Sequence, residues 1–176
     1  TRGRGLVSDS RSLSQRRWLA GNGNCTLHTV RNPPSVGLIV KNDLLSNHGV
    51  ITDVLERITQ AHVALFIDPS ANVCGSLKDF PKVKDWHAMD LVIVLGGDGT
   101  ILRSLRIIGS SPPPVLAVHA GTVGFLSSCS LDVLEDTLPR ALNGELDAVE
   151  RSVLHVHIRR GEEVLDLGVA VNEVVL

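Results

Sequence analysis

Leu91-Val92-Ile93-Val94-Leu95-Gly96-Gly97-Asp98-Gly99-Thr100-Ile101-Leu102 is the stretch on which the fold turns. Leu91–Leu95 is a continuous apolar run of strand length, the pattern of a strand buried on both faces. After the glycines the period changes, and Ile101, Leu102, Leu105 and Ile108 recur on one side of a helix starting near Thr100. A strand that turns into a helix through Gly-Gly-Asp-Gly exposes several backbone N–H groups with no side chains in the way, which is what an anionic phosphate requires. Asp98 is the odd member. A carboxylate beside bound phosphates is repelled unless it meets a metal ion or accepts a proton from an attacking hydroxyl, so Asp98 is the candidate catalytic base. The alternative is a tight turn in which Asp98 only caps the following helix.

Working outward, the same alternation repeats. After Pro33-Pro34, Val36–Val40 reads as a buried strand, and Asn47–Ala61 carries Val50, Ile51, Val54, Leu55 and Ile58 at helical spacing. Val63–Ile67 gives a further strand that ends at Asp68-Pro69. Downstream, Gly109 and three prolines end the helix before the strand Val115–Val118. Ser130–Asn143 reads as a helix opened by Ser130 or Asp132, interrupted near Pro139 and stopped by Asn143-Gly144. This order predicts an α/β domain with a doubly wound parallel sheet. From residue 145 the pattern changes. Glu145–Glu150, Val153–Arg159 and Val164–Leu176 alternate or are β-branched, with Arg160-Gly161 as a turn, the signature of antiparallel strands. The expected organisation is a flexible basic leader over 1–35, an α/β phosphate-binding domain over 36–144, and the beginning of an all-β domain over 145–176.

Composition narrows the function classes. With 176 residues, 43% of them hydrophobic, the chain can bury a core. No apolar run approaches the roughly 18 residues of a membrane-spanning helix. Cys25, Cys74 and Cys129 are too scattered for a disulfide framework or a CxxC metal site, so a reducing, cytoplasmic compartment is expected, with an organellar matrix as the alternative. The net charge of −2 is unevenly spread: residues 1–35 hold six arginines against Asp9, whereas the rest holds eleven basic and eighteen acidic residues. The leader lacks aromatic interleaving and helical periodicity, so neither a nucleic-acid nor a membrane partner is expected. The chain begins without methionine and stops within the strand pattern Val174-Val175-Leu176, which suggests a fragment.

Two later motifs join the first. In Val118-His119-Ala120-Gly121-Thr122-Val123-Gly124-Phe125-Leu126 another strand ends in a glycine-rich loop. In a doubly wound sheet the loops at the carboxyl ends of neighbouring strands converge on one crevice, so both glycine loops can face one ligand. Val171-Asn172-Glu173-Val174 sets an amide and a carboxylate side by side in an apolar strand. Adjacent strand residues point to opposite faces, so a bulge or strand end is needed for both to reach sugar hydroxyls. His155 and His157, on one face of a strand and without a third ligand, read as a solvated face.

The GGDGT turn with Ile101-Leu102-Arg103, then AGTVGFL, Glu150-Arg151 and AVNEVVL, in this order and spacing, resembles the NAD kinase family over approximately Val36 to Leu176. Diacylglycerol and sphingosine kinases and phosphofructokinases carry related turns, but the PLGTGND-like stretch of the lipid kinases is missing. The resemblance implies transfer of the terminal phosphate of ATP, or in some members polyphosphate, to the 2′-hydroxyl of the adenosine ribose of NAD, assisted by a divalent cation, usually Mg2+. It implies that Asp98 is the base and that Gly96, Gly97, Gly99, Thr100 and Arg103 contact the phosphates or dinucleotide. It implies binding roles too for Gly121, Thr122, Gly124, Phe125, Asn172 and Glu173, and a homo-oligomer at full length. His119 stands where the family usually has asparagine, and a larger, titratable ring need not reproduce the amide's hydrogen bonds. Another small-molecule or lipid kinase sharing the turn, or a non-catalytic nucleotide-binding fragment, are the competing readings.

Overall fold

The computed structural model describes residues 14–19 and 25–30 as strand backbone, and residues 32–71, 75–109, 111–121 and 123–171. Two strands, β1 (Ser14–Leu19) and β2 (Cys25–Val30), pair antiparallel within the stretch that the sequence suggests is a flexible leader. The central structure is a five-stranded parallel sheet made of β3 (Ser35–Val40), β4 (Ala64–Ile67), β5 (Leu91–Leu95), β6 (Val115–His119) and the short β7 (Cys129–Ser130), in the order β4-β3-β5-β6-β7.

The alternation of buried side chains explains the layers. On one face Val36, Leu38 and Val40 of β3 and Leu91, Ile93 and Leu95 of β5 pack against α1 (His48–Gln60) and α3 (Leu134–Leu142). On the other face Ile39, Val92 and Val94 pack against Ile101 and Ile108 of α2 (Asp98–Ile108). Both faces of β3 and β5 are therefore covered, which is why those strands read as unbroken apolar runs. Burying one such Leu or Ile stabilises the fold by about 1.5–3 kcal/mol.

Local signals set the helix ends. Asn47 caps α1, its side-chain oxygen accepting from the Val50 N–H at 3.2 Å. Gly109 closes α2 in the left-handed region at φ 85°, its N–H donating to the Leu105 carbonyl. Arg57 joins two layers of one face, donating to Asp53 on its own helix and to the Asp132 carbonyl just ahead of α3.

Three expectations shift. Helix α2 starts at Asp98, two residues ahead of Thr100, because Gly97 serves as its N-cap. Helix α3 runs through Pro139 to Leu142: Leu134, Leu138, Ala141 and Leu142 are anchored in the core, and that burial outweighs the missing N–H of proline. Residues 145–150 form no regular strand: Leu146 packs against the core, Ala148 makes a single β-bridge, and the other residues are exposed. Beyond them β8 (Val153–Arg160) and β9 (Glu163–Val171) form the antiparallel pair that the alternation predicts, with a register shift between Val156 and His157. Strand β9 runs beside α2.

Candidate functional site at the strand ends

The sheet reverses direction between β3 and β5. From β3 the chain steps one way to β4, and from β5 it steps the other way to β6, so the loops leaving these two strands diverge and open a crevice at their carboxyl ends. An open cleft of about 560 Å³ lies there, lined by Lys41, Asn42 and Asp43 after β3 and by Gly97, Gly99, Thr100 and Arg103 after β5. Backbone bonds fix its floor: the Lys41 N–H donates to the Leu95 carbonyl and the Gly96 N–H to the Val118 carbonyl, both at 2.9 Å.

The glycines of the turn differ in what surrounds them. A Cβ on Gly96 would stand 2.6 Å from Thr100 Oγ1 and 3.1 Å from Lys41 Cβ, so only glycine fits. Gly97 and Gly99 have nothing within 4 Å of where a Cβ would be, so their lack of a side chain keeps the cleft open. Gly97 caps α2 without a side-chain acceptor. The first N–H groups of a helix have no partner within it and carry the positive end of its dipole, so this end of the cleft is built for an anion.

Asp98 does not cap its helix. Its Oδ2 accepts from the Phe125 N–H and its Oδ1 from the Leu126 N–H, each at 3.0 Å. The first glycine motif is thus tied to the second by the carboxylate itself. Each carboxylate oxygen has a further lone-pair direction, so Asp98 retains acceptor capacity beyond these two bonds. Gly124 makes the approach possible, because a Cβ there would stand 2.7 Å from the Asp98 carboxyl carbon. The second loop is braced internally by Ser127, whose hydroxyl accepts from the Gly124 N–H and donates to the Gly124 carbonyl, and by Ser128, whose N–H donates to the Ala117 carbonyl at 2.7 Å. Phe125 is 97% exposed beside this contact, an apolar ring with no protein cover.

Arg103 stands between the cleft and the end of β4. It lines the cleft, and its guanidinium donates to Ser70 Oγ at 2.7 Å and lies 3.6 Å from Asp68 Oδ2. The Asp68 side chain is only 4% exposed and accepts from both the N–H and the hydroxyl of Ser70, so a fixed anion at the end of β4 orients the arginine. Lys41 pairs with Asp43 at 2.7 Å, and the lysine's hydrogen bond holds the Asp43 carboxyl below its ordinary range. Lys41, Asp43, Asp68 and Ser70 escape motif reading. The signal that marks them is position: a charged residue directly after a buried strand of a doubly wound sheet belongs to the crevice.

Thr122, Asn172 and Glu173 lie outside the described residues. His155 and His157 are exposed, with His157 3.8 Å from Asp166. Cys129 is a free thiol whose pKa is pushed up by burial. No three His, Cys, Asp or Glu side chains form a metal-holding group among the described residues. The carboxylate lining the cleft is that of Asp43, which already accepts from Lys41. No helix among the described residues is long and apolar enough to cross a membrane.

Comparison with known proteins agrees with this construction. An NAD kinase of Solibacter usitatus is 31% identical over 143 residues, which cover 81% of this chain and 50% of that protein. NAD kinase 2 of Trichormus variabilis is 41% identical over 156 residues, covering 81% of this chain and 51% of that protein. Among solved structures, the yeast NADH kinase complexed with NADH shares the fold at a TM-score of 0.64 and 20% identity, over 89% of this chain and 52% of its own. The chain thus spans about half the length of these relatives. Residues 36–146, which hold the parallel sheet and both glycine loops, match the family model of the ATP-NAD kinase N-terminal domain, and by that match the chain belongs to the NAD kinase family.

Proposed function

We propose that the full-length protein is an NAD kinase that transfers the γ-phosphoryl group of ATP to the 2′-hydroxyl of the adenosine ribose of NAD, giving NADP. The observation that carries this reading is the Asp98 carboxylate, set at the N-terminus of α2 on the edge of an anion-binding cleft and bonded to the second glycine loop.

Phosphoryl transfer needs positioning and charge neutralisation more than covalent chemistry. Gly97 and Gly99 leave the helix N-terminus open to the polyphosphate, and Lys41 and Arg103 supply positive charge from opposite walls. Gly96 and Thr100 hold the turn in shape. As the family resemblance implies, Gly121, Thr122, Gly124 and Phe125 serve the dinucleotide, and the exposed Phe125 ring offers an apolar face to a base or nicotinamide. Asn172 and Glu173 take the ribose hydroxyls, as the family resemblance implies. In the reaction the 2′-oxygen forms a bond to the γ-phosphorus as the bond from that phosphorus to the β-bridging oxygen breaks. ADP leaves, and the hydroxyl proton passes to Asp98. Asp43 would be the carboxylate in the cleft to hold a magnesium ion bound with ATP, which would supply further neutralisation of phosphate charge.

The same reading includes the domain division at residues 35 and 144, a cytoplasmic site of NADP biosynthesis, a homo-oligomer, and no nucleic-acid or membrane partner. The test is NADP formation from ATP, Mg2+ and NAD, with NADH as a second acceptor, by the full-length protein and its Asp98→Asn variant. Turnover falling by about 10³-fold or more in the variant is expected if the carboxylate is the base. Equal turnover in both removes Asp98 from that role. Absence of NADP formation by the intact protein moves the reading to another kinase sharing the GGDGT turn, or to a non-catalytic nucleotide-binding protein.

A further inference from the structure

His119 is the last residue of β6 and the first point at which the chain can bend into the second glycine loop. Its Nδ1 lies 2.9 Å from the Gly121 carbonyl oxygen. A carbonyl can only accept, so the bond exists only with the proton on Nδ1, and in the neutral ring that leaves Nε2 as the acceptor. From Gly121 the loop runs to Gly124, where Ser127 closes it, and then to the Phe125 and Leu126 N–H groups that hold the two Asp98 oxygens. These bonds lie along one short loop, between the end of a buried strand and the carboxylate at the head of α2. Among the charged side chains near the imidazole is Asp132, whose carboxyl is held low chiefly by Ser130 and, more weakly, by Arg57 and His119.

We infer that His119 is a positioning residue: through Nδ1 it holds the second glycine loop in the shape that presents the Phe125 and Leu126 amides to Asp98. The inference rests on the kinase reading of this same cleft. It also explains how a histidine can stand where asparagine is usual. The Nδ2 of asparagine and the Nδ1 of histidine are both attached to Cγ, so the two side chains can place a donor at nearly the same point, whereas glutamine carries its nitrogen one bond further out, near Nε2.

The experiment uses the full-length protein and three variants, His119→Asn, His119→Gln and His119→Ala, with two readouts. The first is amide hydrogen exchange of Phe125 and Leu126 without substrate, which does not depend on activity. The second is steady-state kinetics of NADP formation. In His119→Ala and His119→Gln these two amides are expected to exchange about tenfold faster or more. In the same variants kcat falls by about tenfold, and by more than KM rises, since a misplaced Asp98 damages the reacting geometry more than binding. His119→Asn restores both readouts to within about twofold of the parent. Unchanged exchange and kcat in the alanine and glutamine variants overturns the inference, as does glutamine restoring what asparagine does not, which would make Nε2 the working atom. Wild-type protein that forms no NADP while the exchange pattern holds would sink the kinase reading and leave the positioning role intact.

Discussion

The glycines after β5 and those after β6 look alike in the sequence, but the structure gives them different reasons to be there. After β5, Gly97 and Gly99 border empty space and Gly96 borders its own helix at Thr100. After β6, Gly124 borders the Asp98 carboxylate of the other loop. The first loop is therefore shaped from within and left open toward a ligand, whereas the second is shaped by the residue it must support. A shared motif class thus covers three physical demands: internal clearance, access for a ligand, and clearance for a functional side chain. Only the last makes one loop depend on the other.

Substitutions separate these demands. Gly124→Ala has the largest expected effect, because a methyl group 2.7 Å from the Asp98 carboxyl carbon must push the loop and the carboxylate apart. A displacement of that kind is expected to lower kcat for NADP formation by about 10²-fold with the protein still folded by circular dichroism. Wild-type kinetics in this variant would break the comparison. Gly96→Ala comes next and acts on stability: overpacking against Thr100 is expected to cost about 1–3 kcal/mol, read as a lower midpoint of urea unfolding. Gly99→Ala is the smallest and has the opposite sign. Alanine lowers the backbone entropy cost in the first turn of α2, so the urea midpoint rises by the equivalent of up to about 0.5 kcal/mol, while the methyl group intrudes on the cleft and raises the KM for ATP several-fold. A variant that loses stability without losing affinity for ATP would show that Gly99 faces protein and not ligand.

The fold was largely legible because its core strands are buried on both faces. Val36–Val40 and Leu91–Leu95 have no polar positions to confuse the period, and the helices that follow them carry clear apolar stripes with Asn47 and Gly109 as end signals. What misled was local chemistry without tertiary context. Pro139 reads as a break until the burial of Leu138 and Leu142 is known, and residues 145–150 alternate but contribute only a single bridge, at Ala148. The site was legible where glycine and a carboxylate share one turn. It was illegible where single residues from distant strand ends meet: the bonds from Asp98 to Phe125 and Leu126 span 27 and 28 residues, and that between Arg103 and Ser70 spans 33. No spacing rule reaches that far. The topology does, since each of these residues follows a parallel strand near its carboxyl end.

The strand order described above also governs when the cleft can exist at all. Its two walls leave β3 and β5, whose paired residues are separated by a full βα unit, as the bond from the Ser35 N–H to the Asp90 carboxylate across 55 residues illustrates. As the chain emerges during synthesis, β3 and β4 can pair at once, but the crevice has only one wall until β5 inserts on the other side of β3. Pairing of this kind carries a loop-closure cost before any contact repays it and is intrinsically slow. The cleft therefore has no local precursor: it appears late, together with the centre of the sheet, and a nascent chain short of β5 holds an uncovered apolar edge on β3 where the finished protein pairs β5.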